Sequence, residues 1–145
     1  MDNTRGILDR TQAIDFVYQT PNVVALAAAA NAQVALPFDQ DSNFIWQKIS
    51  FFCDLAGAVQ TDSSRVLPLV LMQITDSGNS QGYMNAPVPI PAFCGDGRLP
   101  MVLPAPMLIR PNSTLQFAFT NYSAATAYAN LRILLIGIKR FGVAQ

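Results

Sequence analysis

Histidine and glutamate are both missing from this chain of 145 residues. Histidine is the commonest general base and metal ligand, and it is the usual partner of a serine or cysteine nucleophile, so its absence excludes most hydrolase mechanisms. The closest pair of carboxylates, Asp39 and Asp41, lies in a run of Asp, Gln, Ser and Asn, which is typical of a turn and lacks the regular ligands of a calcium loop. An active site would need distant carboxylates, such as Asp39, Asp76 and Asp96, to converge in a cleft. We predict no enzymatic activity and no metal or cofactor.

Charge is scarce as well. Nine Lys+Arg and nine Asp+Glu make up 12% of the chain and cancel to a net charge of zero, whereas an average soluble domain has roughly 25% charged residues. A nucleic-acid partner is not expected, because binding phosphates requires a basic surface. Membrane insertion is not expected either, because the longest apolar stretches fall short of the ~20 residues that span a bilayer. A surface with so few charges is suited to burial against neighbouring protein subunits.

There are only two cysteines, Cys53 and Cys94. Both have apolar neighbours in the sequence, which predicts buried free thiols. The N-terminus lacks the apolar segment of a secretory signal, so we expect synthesis in a reducing cytosol.

The composition favours strands and turns over helices. Exposed helix faces usually carry Glu and Lys, of which the chain has none and two respectively, while ten prolines are spread along it. Leu115, Phe117 and Phe119 alternate with smaller or polar residues, as in a half-buried strand. In the stretch from Phe44 to Leu55 the apolar face switches sides, which predicts a long strand that bends between two packing partners. Further strands are predicted at 14–18, 34–36, 66–75 and 129–139, with short apolar pieces at 101–103 and 107–109.

Three segments differ from regular half-buried strands. Residues 23–31 contain four consecutive alanines and are compatible with a short helix or an irregular strand. Pro87, Pro89 and Pro91 remove every second backbone donor, so this segment is predicted to be a sheet edge or an extended docking strip. The final strand, 129–139, is apolar on both faces and is predicted to be buried on both at its centre.

These elements predict an all-β fold, an antiparallel, jelly-roll-like β-sandwich of about eight strands with an extended N-terminal arm. We divide the chain into an N-terminal arm (1–13), the sandwich domain (14–140) and a C-terminal tail (141–145).

Residues 44 to 139 carry a succession of strand and turn patterns that resembles the small β-sandwich virion proteins of tailed bacteriophages, in particular jelly-roll cement, or head decoration, proteins. The succession consists of Phe44-Ile45-Trp46, Gln73-Ile74-Thr75-Asp76-Ser77-Gly78, Ala86-Pro87-Val88-Pro89, Phe93-Cys94-Gly95, Leu103-Pro104-Ala105-Pro106, Ile109-Arg110-Pro111-Asn112-Ser113-Thr114-Leu115 and Leu135-Ile136-Gly137-Ile138-Lys139. The resemblance implies a protein on the outer surface of a capsid that stabilises the phage head by bridging major capsid subunits. It also implies self-association as a homodimer or homotrimer.

The resemblance assigns no individual contact residues, so the interface residues are predicted from the segments most suited to reach a neighbour. They are Ile7 and Leu8 in the arm, Val88 and Ile90 in the proline-rich strip, and Phe141 at the start of the tail. Two alternative functions remain: a structural component of the neck, tail or fibre, and a carbohydrate-binding adhesin domain. The second requires exposed aromatic rings, whereas Trp46 is predicted to be in the core.

Overall fold

The computed structural model describes residues 13–57, 67–77, 81–95 and 99–141. Apart from Ala13 and Phe141, the predicted arm and tail, and with them Ile7 and Leu8, lie outside the described residues. The described part contains one short helix, α1 (Ile90–Phe93), and ten strands. The strands are β1 (Ala13–Gln19), β2 (Val23–Leu26), β3 (Asn31–Pro37), β4 (Ser42–Leu55), β5 (Val70–Asp76), β6 (Gln81–Gly82), β7 (Val88–Pro89), β8 (Met101–Ile109), β9 (Thr114–Asn121) and β10 (Tyr128–Phe141).

The strands form two antiparallel sheets packed as a sandwich. The first sheet has the order β1-β10-β4-β8, with β2 also pairing with β10. The second has the order β3-β9-β5-β6, with β7 also pairing with β5. The chain passes repeatedly from one sheet to the other, and strands that are neighbours in a sheet are mostly distant in sequence. This is the arrangement of a jelly roll, so the predicted fold class is confirmed.

The core lies between the two sheets, where inward-facing side chains of both meet. Strand β9 shows the expected alternation, with Leu115, Phe117 and Phe119 buried and the intervening residues half-buried. Trp46 is completely buried, as predicted, and its Nε1 donates a hydrogen bond to the carbonyl oxygen of Lys48 at 2.8 Å.

The switch of faces in β4 results from a β-bulge. Inward positions are Phe44 and Trp46 before the bulge and Ile49 after it. Trp46 pairs with Gly137 and Lys48 pairs with Ile136, so Gln47 is an extra residue without a partner on β10. A Cβ atom at Gly137 would lie 2.0 Å from the carbonyl oxygen of Ile45, so only a glycine fits at this position beside β4. The predicted bend therefore has a defined position.

On its other side, β4 pairs with an interrupted strand. Trp46 pairs with Met107 and Lys48 pairs with Val102, so residues 103–106 of β8 form an excursion opposite Gln47. The predicted short pieces 101–103 and 107–109 are thus two ends of one strand. Within the excursion Leu103 is buried, while Pro104 and Pro106 are exposed.

Other expectations need correction or refinement. Of the two structures considered for residues 23–31, the strand is confirmed and the helix is not: the chain makes strand β2 and then a turn in which Ala29 has a φ of 61°. The strand predicted at 66–75 begins at Val70, since Leu67 and Leu69 are exposed and precede the first pairing. The proline-rich strip does lie at a sheet edge, where β7 pairs with β5 alone before the chain enters α1. No helix among the described residues has the length and hydropathy needed to span a membrane.

Candidate interaction surface

The outward face of the first sheet is covered with aliphatic side chains. Residues paired across neighbouring strands point to the same side of a sheet, so the register defines rows of neighbours. The first row is Asp15, Ile138, Ile45 and Leu108, and the second is Val17, Ile136, Lys48 and Val102. The third is Gln19 and Leu134, and it ends at Ser50, which is 4% exposed beside Gly95. We call this surface the apolar face.

Side chains at the rim show that the apolar face is open to solvent. Val102, Leu108 and Val17 expose 63%, 59% and 48% of their surface, respectively. At its centre Leu134 and Ile136 are half-buried by their neighbours in the sheet. The expectation that β10 is buried on both faces is therefore wrong for the described structure: Leu131, Ile133 and Leu135 face the core and are inaccessible, whereas the opposite side of the strand lacks that cover.

The outward face of the second sheet has a different character. One row there consists of Gln33, Ala118 and Gln73, and the next of Ala35, Gln116 and Thr75. These side chains are polar or small, and none is charged. We call this surface the polar face. The sandwich is therefore asymmetric, with an aliphatic side and a side of amides and hydroxyls.

A lysine is enclosed at one end of the sandwich. Lys139 is only 6% exposed, and its Nζ lies 2.5 Å from Oδ2 of Asp39. The same Nζ lies 4.4 Å from the centre of the Phe16 ring, 5.4 Å from that of Phe141 and 6.0 Å from that of Tyr18. The hydrogen bond to Lys139 lowers the pKa of Asp39 and raises the pKa of Lys139. This cluster is a cation–π cage filled by the chain's own ammonium group.

The predicted interface residues are in different environments. Val88 is half-buried at the edge of the second sheet, and Phe141 is half-buried beside Lys139. Ile90 is completely buried, so its side chain contributes to the core and offers no surface to a partner. The apolar face was not predicted from the sequence. The apolar residues on the second side of β10 are visible in the sequence, but the rows form only because β10 pairs with β1 and β4, and β4 pairs with β8.

The residues considered for catalysis do not form a cluster in the described part of the chain. Asp39 is bound to Lys139, Asp76 ends β5, and Asp96 lies outside the described residues. Among the residues the structure describes, no three His, Cys, Asp or Glu side chains are placed to hold a metal ion. Cys53 and Cys94 are buried free thiols, as predicted, and burial raises the pKa of each to about 12.

The fold places this chain in the class of jelly-roll β-sandwiches. Viral capsid proteins, lectins and cupins share this architecture, so function has to be argued from the surface. Comparison of the sequence with models of known protein families, and with curated proteins, finds no match. The apolar face is consequently the feature on which a functional proposal is based.

Proposed function

We propose that this protein is a structural component of a virus particle, a cement protein that binds the outer surface of a phage head and bridges major capsid subunits. The observation that carries the proposal is the apolar face on a jelly-roll domain. Monomeric proteins rarely expose contiguous apolar patches larger than a few hundred Å², and larger ones mark interaction sites. In an assembly, neighbouring subunits would cover this apolar surface.

The chemistry of the surface supports a protein partner. The apolar face carries one Asp and one Lys among aliphatic side chains, and the polar face carries no charge in its central rows. Neither surface presents the basic array that binds phosphates. The proposed location is the outer surface of the capsid, after synthesis in the host cytoplasm.

Capsid binding is the direct test. Purified protein is mixed with isolated heads that lack it, and the heads are sedimented and then challenged with heat or a chaotrope. We expect the protein to sediment with the heads and to raise the temperature at which they release their contents. Heads mixed with an equal mass of an unrelated β-sandwich protein provide the control. Absence of binding removes the proposal.

A neck, tail or fibre component is the closest alternative, because such proteins also depend on subunit contacts. Labelling of intact particles with an antibody against this chain separates the two locations. Antibody signal distributed over the head supports a cement protein. Signal confined to the tail supports a neck, tail or fibre component and refutes the cement function.

The carbohydrate-binding alternative has less support from the geometry. Trp46 and Tyr128 are buried, with 0% and 3% of their surfaces exposed, so neither ring offers a platform for a sugar. Among the described residues, Tyr122 is the aromatic side chain classed as exposed, at 48%, and it is the candidate platform for a sugar. Binding on a glycan array that is lost in Tyr122→Ala would favour this alternative.

A further inference from the structure

Strand β3 pairs with β9 alone and forms one edge of the second sheet. Where β3 ends, the N–H of Phe38 donates to the carbonyl oxygen of Ser113. Just before β3 begins, the carbonyl oxygen of Ala30 accepts from the N–H of Asn121. Bonds of an antiparallel ladder alternate along a strand, so the even-numbered residues of β3 bond to β9 and the odd-numbered ones direct their main-chain groups away from it. The outward groups belong to Asn31, Gln33, Ala35 and Pro37, of which the proline has a carbonyl but no N–H.

The outward main-chain groups of β3 have no hydrogen-bond partner within the part of the chain that the structure describes. The side chains of Asn31 and Gln33 are exposed, and that of Ala35 is half-buried between its neighbours. A row of unpaired N–H and C=O groups on an exposed strand is a template for pairing with a further strand.

The other sheet edges among the described residues are protected against such pairing. The excursion with Pro104 and Pro106 interrupts β8, and β6 and β7 have only two residues each. Strand β1 carries the charged Asp15 near its middle. Prolines, very short strands and charges are the usual means by which proteins block their edges. In contrast, β3 is a regular strand of seven residues without a charge or a bulge, and its one proline is its last residue.

We propose that the edge of β3 binds an extended segment of another polypeptide, which joins the second sheet as a further antiparallel strand. The main-chain groups identify the occupant as a strand, because an extended peptide presents donors and acceptors at the same spacing as the edge. Residues opposite Asn31, Gln33 and Ala35 would each exchange two hydrogen bonds with β3, about six in total. This interaction uses the second sheet, so it does not depend on the cement function, which is based on the first.

The side chains along β3 define the sequence that fits. Residues paired across strands point to the same side of a sheet, so a residue opposite Val34 points towards the core. Val34 is half-buried, whereas its partner on β9, Phe117, is completely buried, so the core is incompletely covered at this edge. Apolar residues opposite Ala32 and Val34 would complete the cover, while those opposite Asn31 and Gln33 lie on the polar face. The preferred segment therefore alternates apolar and uncharged polar residues over about five positions.

Amide hydrogen exchange, followed by NMR on the full chain, tests whether the edge is free. We expect fast exchange at the outward N–H groups of Asn31, Gln33 and Ala35. Slow exchange is expected at Ala32 and Val34, whose N–H groups bond to β9. Equally slow exchange at the outward groups of the free chain would show that the edge is already occupied, and it would overturn the proposal.

A β-hairpin peptide is the probe for strand addition. It has two strands of alternating Thr and Val, an Asn-Gly turn and terminal lysines for solubility, and its preformed strands lose less entropy on binding than a flexible peptide does. At hairpin concentrations up to about 1 mM, we expect exchange at the three outward amides to slow about tenfold or more. The same hairpin with methyl groups on the amide nitrogens of its outer edges is the control and should not bind.

Variants at Gln33 test the main-chain contact from the side of the protein. Gln33→Pro removes an outward donor but no bond to β9, and a proline is tolerated at an edge where its nitrogen faces solvent, as Pro37 already does. We expect this variant to bind the hairpin about tenfold more weakly. Gln33→Thr keeps the donor and should bind as the wild type does. Thermal unfolding of both variants checks that they fold.

Several results overturn the proposal. Unchanged exchange at the edge in the presence of the hairpin does so, as does equal binding of the methylated hairpin. If the wild-type chain is a dimer that Gln33→Pro dissociates, a second copy occupies the edge. If the hairpin binds only after removal of residues 1–12, those residues occupy it. A chain that binds heads but not the hairpin refutes strand addition alone, and one that binds the hairpin but not heads refutes only the cement function.

Discussion

Lys139 and Asp39 join the two sheets of the sandwich at one end. Lys139 belongs to β10 in the first sheet, and Asp39 follows β3 of the second, at the turn into β4. Their side chains meet at 2.5 Å, and the main-chain N–H of Asp39 also donates to the hydroxyl of Tyr18 at 3.3 Å. The lysine is enclosed by aromatic rings, while half of the aspartate side chain is exposed. Removing one side chain should therefore change the free energy of unfolding by a different amount from removing the other.

Removal of the Asp39 carboxylate should make stability less sensitive to acid. Its pKa in the folded protein is lowered by the hydrogen bond to Lys139, so the stabilisation is present above the unfolded pKa, about 4, and is lost as the pH falls through the folded pKa. We expect Asp39→Asn to cost about 1 kcal/mol at neutral pH, since the carboxylate is half exposed. The difference from wild type should shrink below about pH 4 in urea unfolding. Asp41→Asn, in the same turn, is the matched control; an equal effect there would contradict the assignment.

An alanine at Gly137 should disrupt the junction of β4 and β10. The added Cβ meets the backbone carbonyl of Ile45, which cannot move without breaking the ladder. We expect Gly137→Ala to lower the free energy of unfolding by about 2 to 3 kcal/mol, as measured by denaturant titration. Gly82→Ala is the control, because its Cβ would be 3.4 Å from the nearest atom, the carbonyl oxygen of Met84, and should change stability by less than about 0.5 kcal/mol. Similar values for the two variants would refute the explanation.

Asn121 should be among the most sensitive polar positions. Its buried Nδ2 donates to the carbonyls of Leu26, Ala27 and Thr126 at 3.3, 3.1 and 2.8 Å, and its Oδ1 accepts from the N–H of Ser123 at 2.9 Å. We expect Asn121→Ala to cost about 3 kcal/mol, since buried backbone groups lose their partners.

Thermal unfolding of two further variants tests whether the hydrogen bonds of Asn121 are the source of this stability. Asn121→Asp keeps the acceptor but sets a carboxylate against three carbonyl oxygens, so it should be at least as destabilising as the alanine variant. Asn31→Ala, on the exposed side of β3, should be almost neutral. A stable Asn121→Asp variant would show that the three carbonyls have other donors.

The two cysteines should be unreactive in the folded protein. Burial raises the pKa of both Cys53 and Cys94 to about 12, so the thiols stay protonated at pH values where free cysteine reacts. We expect no reaction with Ellman's reagent at mildly alkaline pH in the native state, and two reactive thiols per chain in guanidinium chloride. Rapid modification of one thiol in the native protein would indicate local opening near it.

Local sequence patterns predicted strands well wherever one face is buried. The alternation in Leu115, Phe117 and Phe119 was sufficient for β9, and the switch of faces after Trp46 predicted the bend that the bulge produces. Apolar runs were less informative. Leu67 and Leu69 read as part of a strand but lie exposed before Val70, because apolar residues alone do not determine where pairing starts.

The apolar face could not be predicted from sequence patterns, for a different reason. Its rows join residues as distant as Asp15, Ile45, Leu108 and Ile138, and their meeting depends on register across four strands. The second apolar side of β10 was visible in sequence but was explained by burial inside the fold. The turn at Ala29 had no signal at all, since alanine rarely adopts a positive φ.

The excursion of β8 disfavours the addition of a further β-strand at this edge of the first sheet. An edge strand with a regular row of free N–H and C=O groups invites another strand, and repeated addition leads to filaments. Pro104 and Pro106 have no N–H to donate, and the excursion between Val102 and Met107 breaks the row of pairing groups. Another chain can therefore contact this side of the first sheet through side chains, but it cannot continue the ladder as a regular added strand past the excursion.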